Sequence, residues 1–293
     1  MKINKFTRLL TLILALGLLL SLAACGSKRE EAAPAENTET AAAEAADTAE
    51  PGDTAEPDLL AQIQERGTIT IATEGDWSPW TYHDENDNLV GLDIEIGTLI
   101  AEGLGVEPEF YETDWDSILA GVDSGRFDIA CNGVGYTEER AEKYNFSTPY
   151  VYTHKVLVVR SDNEDITSLE DLNGRTTANS PSSTYAAIAE SYGATVTSVS
   201  TLTETIELLE QGRVDATINA QVSIQDYLDQ HPDANIKVVA VLDGDPVAYP
   251  VRGGADTETL IAAIDDILEQ ARQDGTLSSI SEKYFGLDLT QPD

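Results

Sequence analysis

A helix, a glycine and a short strand occur twice in this chain in almost the same form, and this repeat limits the possible folds more than any other feature. The first copy reads DSILAGVDSGRFDIACNGV from Asp116, and the second reads ETIELLEQGRVDATINAQV from Glu204. In both, apolar residues recur three and four positions apart, a glycine follows the helix, and Arg, an apolar residue and Asp precede the strand. Each unit needs a sheet to cover its apolar faces, so the repeat predicts two α/β lobes.

Each predicted lobe also begins with a strand that runs into a loop, which we expect to continue as a helix. The segments are GTITIATEGDWSPW, from Gly67, and GRTTANSPSSTYAAIAESYG, from Gly174. In α/β sheets, ligands bind at the loops beyond the carboxyl ends of the strands. Two such lobes facing one another would therefore enclose a cleft.

The C-terminal part of the chain predicts a return to the first lobe. PVAYPVRGG, from Pro246, is typical of a strand, and LIAAIDDILEQARQDGTLSSISEKYFG, from Leu260, predicts a long helix, a glycine stop and a second short helix. If these helices pack on the first lobe, the chain crosses between the lobes twice, and a two-stranded hinge that suits closure results. We expect residues 59–152 and 249–293 to form lobe 1, and residues 153–248 to form lobe 2.

Residues 1–25 have the pattern of a secretory leader. Lys2, Lys5 and Arg8 precede an apolar run over 9–20 that is too short, and wrongly flanked, for a stable membrane span. The segment ends in LAAC, which resembles a bacterial lipobox, whose cysteine receives lipid and becomes the new N-terminus. We expect Cys25 to be lipidated; a plain signal peptide with a chance cysteine is the alternative.

Residues 26–58 contain no large apolar side chain, so burial cannot offset the entropy of ordering them. They predict a disordered acidic tether. The whole sequence of 293 residues has a formal net charge of −36. A polyanion is repelled by phosphate groups, so nucleic acid is excluded as a partner. The charge is typical of a well-solvated secreted protein.

Several other chemistries are not supported by the sequence. GxxxxGK[ST] does not occur, so ATP hydrolysis is not predicted. The three histidines, at 83, 154 and 231, lack ligand spacing, and neither a metal site nor a cofactor is expected. HDENDN, at 83–88, lacks the glycine of a calcium loop and predicts a polar hairpin turn. Cys131 is expected to be a buried, inert thiol without a disulfide.

The stretch CNGVGYTEER, at 131–140, predicts a carboxylate site. A strand over 127–131 leads into Asn132 and the glycines 133 and 135, which allow a ligand to approach the backbone closely. Thr137 can cap a helix that starts at Glu138, which places Arg140 in the first turn. Exposed backbone N–H groups, a helix N-terminus and a guanidinium suit a carboxylate. The alternative is a surface arginine paired with Glu142 or another neighbour.

From about Gly67 to Gly286 the chain resembles the polar amino acid family of ABC-importer solute-binding proteins. The matching stretches include GTITIATEGDWSPW, DWDSILAGVDSGRFDIACNGVGYTEERAEKYNFSTPY and DGTLSSISEKYFG. WDSILAG, NSPSSTYA, DYLDQHPDA and SEKYFG are most similar to the cystine-binding subgroup. The resemblance implies a two-lobed, periplasmic-binding-protein-like (type II) fold with an interlobe cleft. It further implies a monomer held by lipid on the outer face of the bacterial membrane, which delivers an amino acid to an ABC permease.

The resemblance also assigns roles to individual residues. Arg140 would bind the α-carboxylate of the ligand bidentately, Trp77 and Trp115 would sandwich its side chain, and Trp80 would belong to the core. Glu74 would reach the ligand, with a surface charge as the competing role. Ser183, Thr184 and Tyr185, in a loop with Ser180 and Ser182, would complete the carboxylate site, although a helix cap would also favour serine and threonine there.

Two departures from the family pattern concern the α-ammonium group of the ligand. The family commonly has Ser or Thr at the position of Gly135 and Asp at the position of Ala220. A buried ammonium needs acceptors, so other groups must serve. The candidates are Gln221, Asn219, Glu74 and the backbone carbonyls of Asn132 and Gly133. Alternatively, the ligand is a carboxylate without an α-amine.

Two function classes follow from these observations. The first is a binding protein for an amino acid, with cystine as one candidate. The second is a dehydratase-like enzyme or a sensor module on the same fold. An enzyme would need a positioned acid or base, and Glu74 is the one cleft carboxylate that the sequence indicates, without a partner. The sequence therefore favours binding over catalysis, and no catalytic residue is predicted.

Overall fold

The structure is a computed structural model that describes residues 58–292, and its elements are numbered in chain order. The strands are β1 (Thr68–Thr73), β2 (Asp76–Trp77), β3 (Thr81–His83), β4 (Leu89–Val90), β5 (Glu107–Glu112), β6 (Ile129–Ala130), β7 (Tyr144–Phe146), β8 (Val151–Arg160), β9 (Thr176–Asn179), β10 (Thr195–Ser198), β11 (Ala216–Ala220), β12 (Ile236–Val247) and β13 (Pro250–Arg252). The helices are α1 (Leu59–Arg66), α2 (Leu92–Leu104), α3 (Trp115–Asp123), α4 (Glu138–Ala141), α5 (Thr184–Ser191), α6 (Leu202–Glu210), α7 (Gln221–Gln230), α8 (Glu258–Gln273) and α9 (Thr276–Phe285).

The first lobe is built on a parallel sheet in the order β5-β1-β6. Helices α2, α8 and α9 pack together beside it and bury Ile71, Ile96, Ile100, Ile264 and Leu268 in one apolar cluster. The predicted C-terminal pattern of long helix, glycine and short helix is confirmed, with Gly275 between α8 and α9.

The loop after β1 differs from the expected return to a helix. Before α2 begins, the chain forms a three-stranded sheet in the order β2-β3-β4. The predicted polar hairpin turn joins β3 and β4, where the Asp84 carboxylate accepts hydrogen bonds from the backbone N–H groups of Asn86 and Asn88. Gly91, with φ 134°, then turns the chain so closely past the Trp80 carbonyl that a Cβ atom would overlap it.

The second lobe is built on a five-stranded sheet in the order β10-β9-β11-β8-β12. Strands β9, β10 and β11 run parallel to one another, whereas β8 is antiparallel to both β11 and β12. Its core includes Val156, Val158, Ile206 and Leu209. The fold is therefore α/β and two-lobed, as predicted.

The sequence repeat corresponds to one local structure that each lobe contains. Asp128 Oδ2 accepts hydrogen bonds from the backbone N–H (2.7 Å) and the hydroxyl (2.8 Å) of Thr70. Asp215 Oδ2 accepts the same pair of bonds from Thr176, both at 2.8 Å. The repeated aspartate thus fastens the strand after each helix to β1 in the first lobe and to β9 in the second.

The two segments that connect the lobes lie side by side. Val151, at the start of β8, pairs with Val247, at the end of β12, and the backbone N–H of Tyr150 donates to the Val247 carbonyl at 3.0 Å. Just outside this pair, the rings of Tyr150 and Tyr249 stack with their centroids 4.1 Å apart. This is the predicted two-stranded hinge.

The Asp93 carboxylate, at the second residue of α2, joins this hinge to the first lobe. Its Oδ1 accepts the hydroxyl groups of Tyr150 (2.6 Å) and Tyr249 (2.9 Å), and its Oδ2 accepts the backbone N–H of Gly133 (2.5 Å). The residue is fully buried, and this burial raises its pKa to about 6. Asp93 therefore connects both crossing segments to the loop after β6.

Three predictions for the N-terminal region fall outside the described residues, namely the secretory leader over 1–25, lipidation at Cys25 and the acidic tether over 26–58, of which the structure describes residue 58 alone. Within 58–292, none of the helices has both the length and the apolar character needed to cross a bilayer.

Replacing Asp93 with alanine should lower the free energy of unfolding by about 3 kcal/mol or more, because three buried donors would lose their acceptor and each loss costs about 1 to 3 kcal/mol. Urea unfolding at neutral pH, followed by circular dichroism, measures this. Asp266→Ala, at an exposed site on α8, is the matched control and should change the free energy by less than about 0.5 kcal/mol. Equal losses in both variants would contradict the role assigned to Asp93.

Candidate functional site

A cavity lies between the two lobes, and both lobes contribute to its walls. Its lining from the first lobe consists of Glu74, Asp76, Trp77, Trp80, Trp115, Gly133, Gly135 and Arg140. Its lining from the second lobe and the hinge consists of Thr153, Lys155, Asn179, Ser180, Ser183, Thr184, Tyr185, Ser200, Thr201, Leu202, Thr205, Asn219, Asp245 and Val247. Of the twelve predicted ligand-binding residues, all but Asn132 and Gln221 lie in this lining.

The loop after β6 forms one wall of the cavity. The strand was predicted over 127–131, but β6 is shorter and comprises only the two residues that pair with β1, Ile129 and Ala130. Gly133 has φ 56°, and a Cβ atom there would lie 2.7 Å from the Trp77 ring, so only glycine fits beside that indole. Thr137 caps α4 as predicted, since its Oγ1 accepts the backbone N–H of Arg140 at 3.1 Å.

Arg140 presents its guanidinium at the boundary between the lobes. Nη1 donates to the Gly135 carbonyl at 3.0 Å, Nη2 donates to the Ser182 carbonyl at 3.4 Å, and Cζ lies 5.4 Å from the centre of the Trp115 ring. Burial lowers its pKa. No carboxylate of residues 58–292 forms an ion pair with Arg140, so the alternative pairing with Glu142 is not observed. A partly buried cation of this kind is suited to an anionic ligand.

Three tryptophans form an aromatic wall. The rings of Trp77 and Trp80 stack at 5.3 Å with an interplanar angle of 16°, and Trp80 also contacts Phe285 edge-on at 5.0 Å. Trp80 is 1% exposed, which confirms its predicted place in the core, although one side of it also lines the cavity. The buried Nε1 of Trp115 has no hydrogen-bond partner among residues 58–292.

Glu74 and Asn132 are joined by two hydrogen bonds. The Asn132 side-chain amide donates to Glu74 Oε2 at 2.6 Å, and its oxygen accepts the Glu74 backbone N–H at 2.8 Å. Burial raises the pKa of Glu74 to about 7; the hydrogen bond from Asn132 opposes this shift, whereas nearby acids such as Asp76 add to it. Asn132 therefore orients Glu74 and does not line the cavity itself.

The loop before α5 supplies the opposite wall. Ser183 Oγ accepts the backbone N–H of Ala186 at 3.1 Å, so the alternative role of helix cap applies to this residue. Asn219 lines the cavity, but its Oδ1 already accepts the backbone N–H of Ala220 at 2.9 Å. Gln221 is exposed at the start of α7 and lies outside the lining.

Direct hydrogen bonds join the two lobes across the cavity mouth. Asp116 Oδ1, on α3 of the first lobe, accepts the hydroxyl (2.5 Å) and the backbone N–H (3.1 Å) of Ser182 in the second lobe. Together with the bond from Arg140 to the Ser182 carbonyl, these contacts hold the lobes together. The structure therefore represents a closed arrangement of the cleft.

Ten residues of the lining were not predicted from the sequence, among them Thr153, Lys155, Asn179 and Asp245. Lys155 forms an ion pair with Asp245 inside the cavity. Asn179 is 3% exposed, and its side-chain oxygen has no partner within the described part of the chain. A signal for Lys155 exists in VYTHKVLVVR, where a lysine directly precedes the apolar run VLVV within the strand. Asp245, in an acidic and glycine-containing segment, gives no comparable signal.

These features define a class of protein. Two α/β lobes, a two-stranded hinge and a buried cationic and aromatic cavity between the lobes are the arrangement of a protein that binds a small molecule by closing around it. Comparison with known families identifies the class more closely. The chain belongs to the bacterial extracellular solute-binding proteins, family 3, whose model matches residues 69–287, and the predicted resemblance is confirmed.

Two sequence relatives and one solved structure are similar to this chain over most of its length. It is 40% identical over 236 residues to a probable amino-acid ABC transporter-binding protein of Haemophilus influenzae. This match covers 80% of this chain and 91% of that protein. It is 38% identical over 235 residues to the L-cystine-binding protein TcyA of Bacillus subtilis, at 80% and 87% coverage. A solved structure of an ancestral arginine-binding protein bound to arginine is 36% identical, with a TM-score of 0.70 over 75% of this chain and 99% of that one.

The raised pKa of Glu74 predicts a pH-dependent stability. The folded protein holds this proton more tightly than the unfolded chain does, so the contribution of Glu74 is fully present below its unfolded pKa near 4.5 and is lost as pH rises through about 7. From pH 5 to pH 8 the free energy of unfolding of the ligand-free protein should therefore fall more than that of Glu74→Gln, by on the order of 2 kcal/mol.

Urea unfolding at several pH values measures this difference. Glu139→Gln removes a carboxylate at an exposed position on α4 and should follow the pH curve of the unaltered protein. Parallel curves for the unaltered protein and Glu74→Gln would show that the Glu74 pKa is not raised.

Proposed function

We propose that this protein is the lipid-anchored solute-binding component of an ABC importer, which captures an amino acid by hinge closure and delivers it to a membrane permease. The observation that carries the proposal is Arg140, a partly buried guanidinium between the lobes with which no described carboxylate forms an ion pair. An α-carboxylate would supply the missing charge and could accept two parallel N–H bonds from it.

The aromatic wall supports an amino acid as the ligand. Trp77 and Trp115 would enclose its side chain, because both line the cavity and the Trp115 ring centre lies 5.4 Å from Arg140 Cζ. Cystine is the first candidate, since a relative that covers most of the chain is named as an L-cystine-binding protein. Arginine is the second candidate, since a structural relative is bound to it.

The remaining parts of the proposal concern how the chain is arranged and held. Lobe 1 would comprise residues 59–152 and 249–293, and lobe 2 residues 153–248, because β8 and β12 cross together at Val151 and Val247. Lipid on Cys25 would hold a monomer at the outer face of the membrane. Residues 26–58 would form a tether that lets the lobes extend away from the membrane surface.

Binding is a better account of the cavity than catalysis. Glu74 has the raised pKa that a general acid or base needs, but it is held by Asn132, and no histidine or cysteine of the described chain lines the cavity. The names of the relatives also refer to binding.

Replacing Arg140 with alanine should weaken the binding of L-cystine or L-arginine, whichever the unaltered protein binds more tightly, by roughly 100-fold. Arg140→Lys keeps the charge but loses the planar fork and should recover only part of the affinity. Isothermal titration calorimetry measures both. Arg213→Ala, at an exposed arginine after α6, is the control that should bind normally. Undiminished affinity in Arg140→Ala would refute the carboxylate site.

Replacing Asp116 with alanine should weaken binding by about 5-fold, because the closed form would lose its hydrogen bonds to Ser182, worth about 1 kcal/mol at an exposed site. The change should appear as faster ligand release in stopped-flow displacement, with little effect on association. Glu138→Ala, an exposed acid in the same lobe, serves as the control. A slower association with unchanged release would contradict this account of closure.

A further inference from the structure

The ion pair between Lys155 and Asp245 is the one charged pair in the cavity that the proposed function leaves unexplained. Lys155 lies on β8 and Asp245 on β12, so both belong to the strands that form the hinge. Buried ion pairs are weak sources of stability, because desolvation offsets much of their attraction. A pair retained in a ligand cavity is therefore better explained by a contact with the ligand.

The position of Asp245 relative to Arg140 indicates which ligand group it could meet. Asp245 Oδ2 lies 3.8 Å from the point that a Cβ atom of Gly135 would occupy, and the Gly135 carbonyl accepts Arg140 Nη1 at 3.0 Å. Both charged groups thus flank the same residue. In an α-amino acid the carboxylate and the ammonium are attached to one carbon atom. A carboxylate on Arg140 would therefore bring its ammonium to the neighbourhood of Gly135 and Asp245.

The backbone fixes Asp245 at this place. Gly135 pairs with Val247 in an isolated antiparallel bridge, and the backbone N–H of Tyr136 donates to the Pro246 carbonyl at 2.9 Å. The end of β12 therefore runs along the loop that carries Gly135. Because Gly135 has no side chain, the carboxylate can approach this loop without an intervening group.

The exposure of the two partners shows which of them is presented to the cavity. The Lys155 side chain is 11% exposed, whereas that of Asp245 is 29% exposed. Lys155 contacts Oδ2, and no described residue donates to Oδ1. A carboxylate has about four acceptor positions, so Asp245 can accept a second cation while it remains paired.

We infer that Asp245 accepts the α-ammonium group of the ligand and that Lys155 is a positioning residue that holds Asp245 in place. This inference rests on the proposed function and extends it, since it makes the ligand a zwitterion with the amine on the α-carbon. The lining contains two other acids, Glu74 and Asp76, which are not needed for this contact, and Glu74 is already hydrogen-bonded to Asn132.

A comparison of amino acids with their deaminated analogues tests the inference. L-Cystine is compared with 3,3'-dithiodipropionate, and L-arginine with 5-guanidinovalerate, by calorimetry or by competition at high concentration. The unaltered protein should prefer the amino acid. In Asp245→Asn the affinity for the amino acid should fall roughly 10- to 100-fold, while that for the analogue should be unchanged or higher, so that the preference collapses.

Two further variants complete the test. Asp243→Asn removes an exposed acid from the same strand and should bind both compounds as the unaltered protein does. Lys155→Met should lower the affinity for the amino acid less than Asp245→Asn does. It should also retain part of the preference for the amino acid over its deaminated analogue. Loss of analogue binding in Lys155→Met would instead show that Lys155 binds the ligand and would overturn the assignment.

The outcomes separate this inference from the proposed function. If the unaltered protein binds neither amino acid but binds a deaminated analogue, or binds none of the four compounds, both the proposed function and the inference fail. If it binds an amino acid and Asp245→Asn lowers the affinities for amino acid and analogue equally, or lowers neither, the proposed function stands and the role of Asp245 is refuted.

Discussion

The fully buried Asp93 carboxylate is the interaction on which the arrangement of hinge and cleft depends. No cation among residues 58–292 pairs with it, and three donors satisfy it instead: Tyr150 and Tyr249 from the two crossing segments, and the backbone of Gly133 from the cleft loop. An anion held this way costs free energy unless every donor stays in place. The position of the cleft loop relative to the hinge is therefore fixed by one residue, which the second position of α2 supplies.

The same loop determines the shape of the cavity. Gly133 lies directly against Trp77, and Gly135 lies between Arg140 and Asp245. The glycine at 133 thus lets an aromatic ring approach the backbone closely. The lining contains two cations, Arg140 and Lys155, and three carboxylates, Glu74, Asp76 and Asp245, so both signs of charge face the same cavity.

Much of this fold could be predicted because the signals are local. The helix and glycine of the repeat, the Thr137 cap and the glycine between α8 and α9 each act within a few residues. The bonds of the repeated aspartates to Thr70 and Thr176, in contrast, join residues 58 and 39 positions apart. The β2-β3-β4 sheet was missed because its strands of two or three residues leave no periodic pattern. Lys155 and Asp245 were missed because their proximity depends on the register of β8 against β12, which includes two irregularities. Arg140, in contrast, was indicated by the local pattern CNGVGYTEER as well as by the family resemblance.

All three tryptophans of the chain line the cavity, and all three belong to the first lobe. Indole emission from this protein therefore originates entirely at the ligand site, with none from its distant core or surface. Trp77 and Trp80 are stacked, and Trp115 lies beneath the Arg140 guanidinium, so both environments respond to charge and water at the same place. The molecule thus has a built-in optical probe of the occupancy of its cleft, and no label is needed to read it.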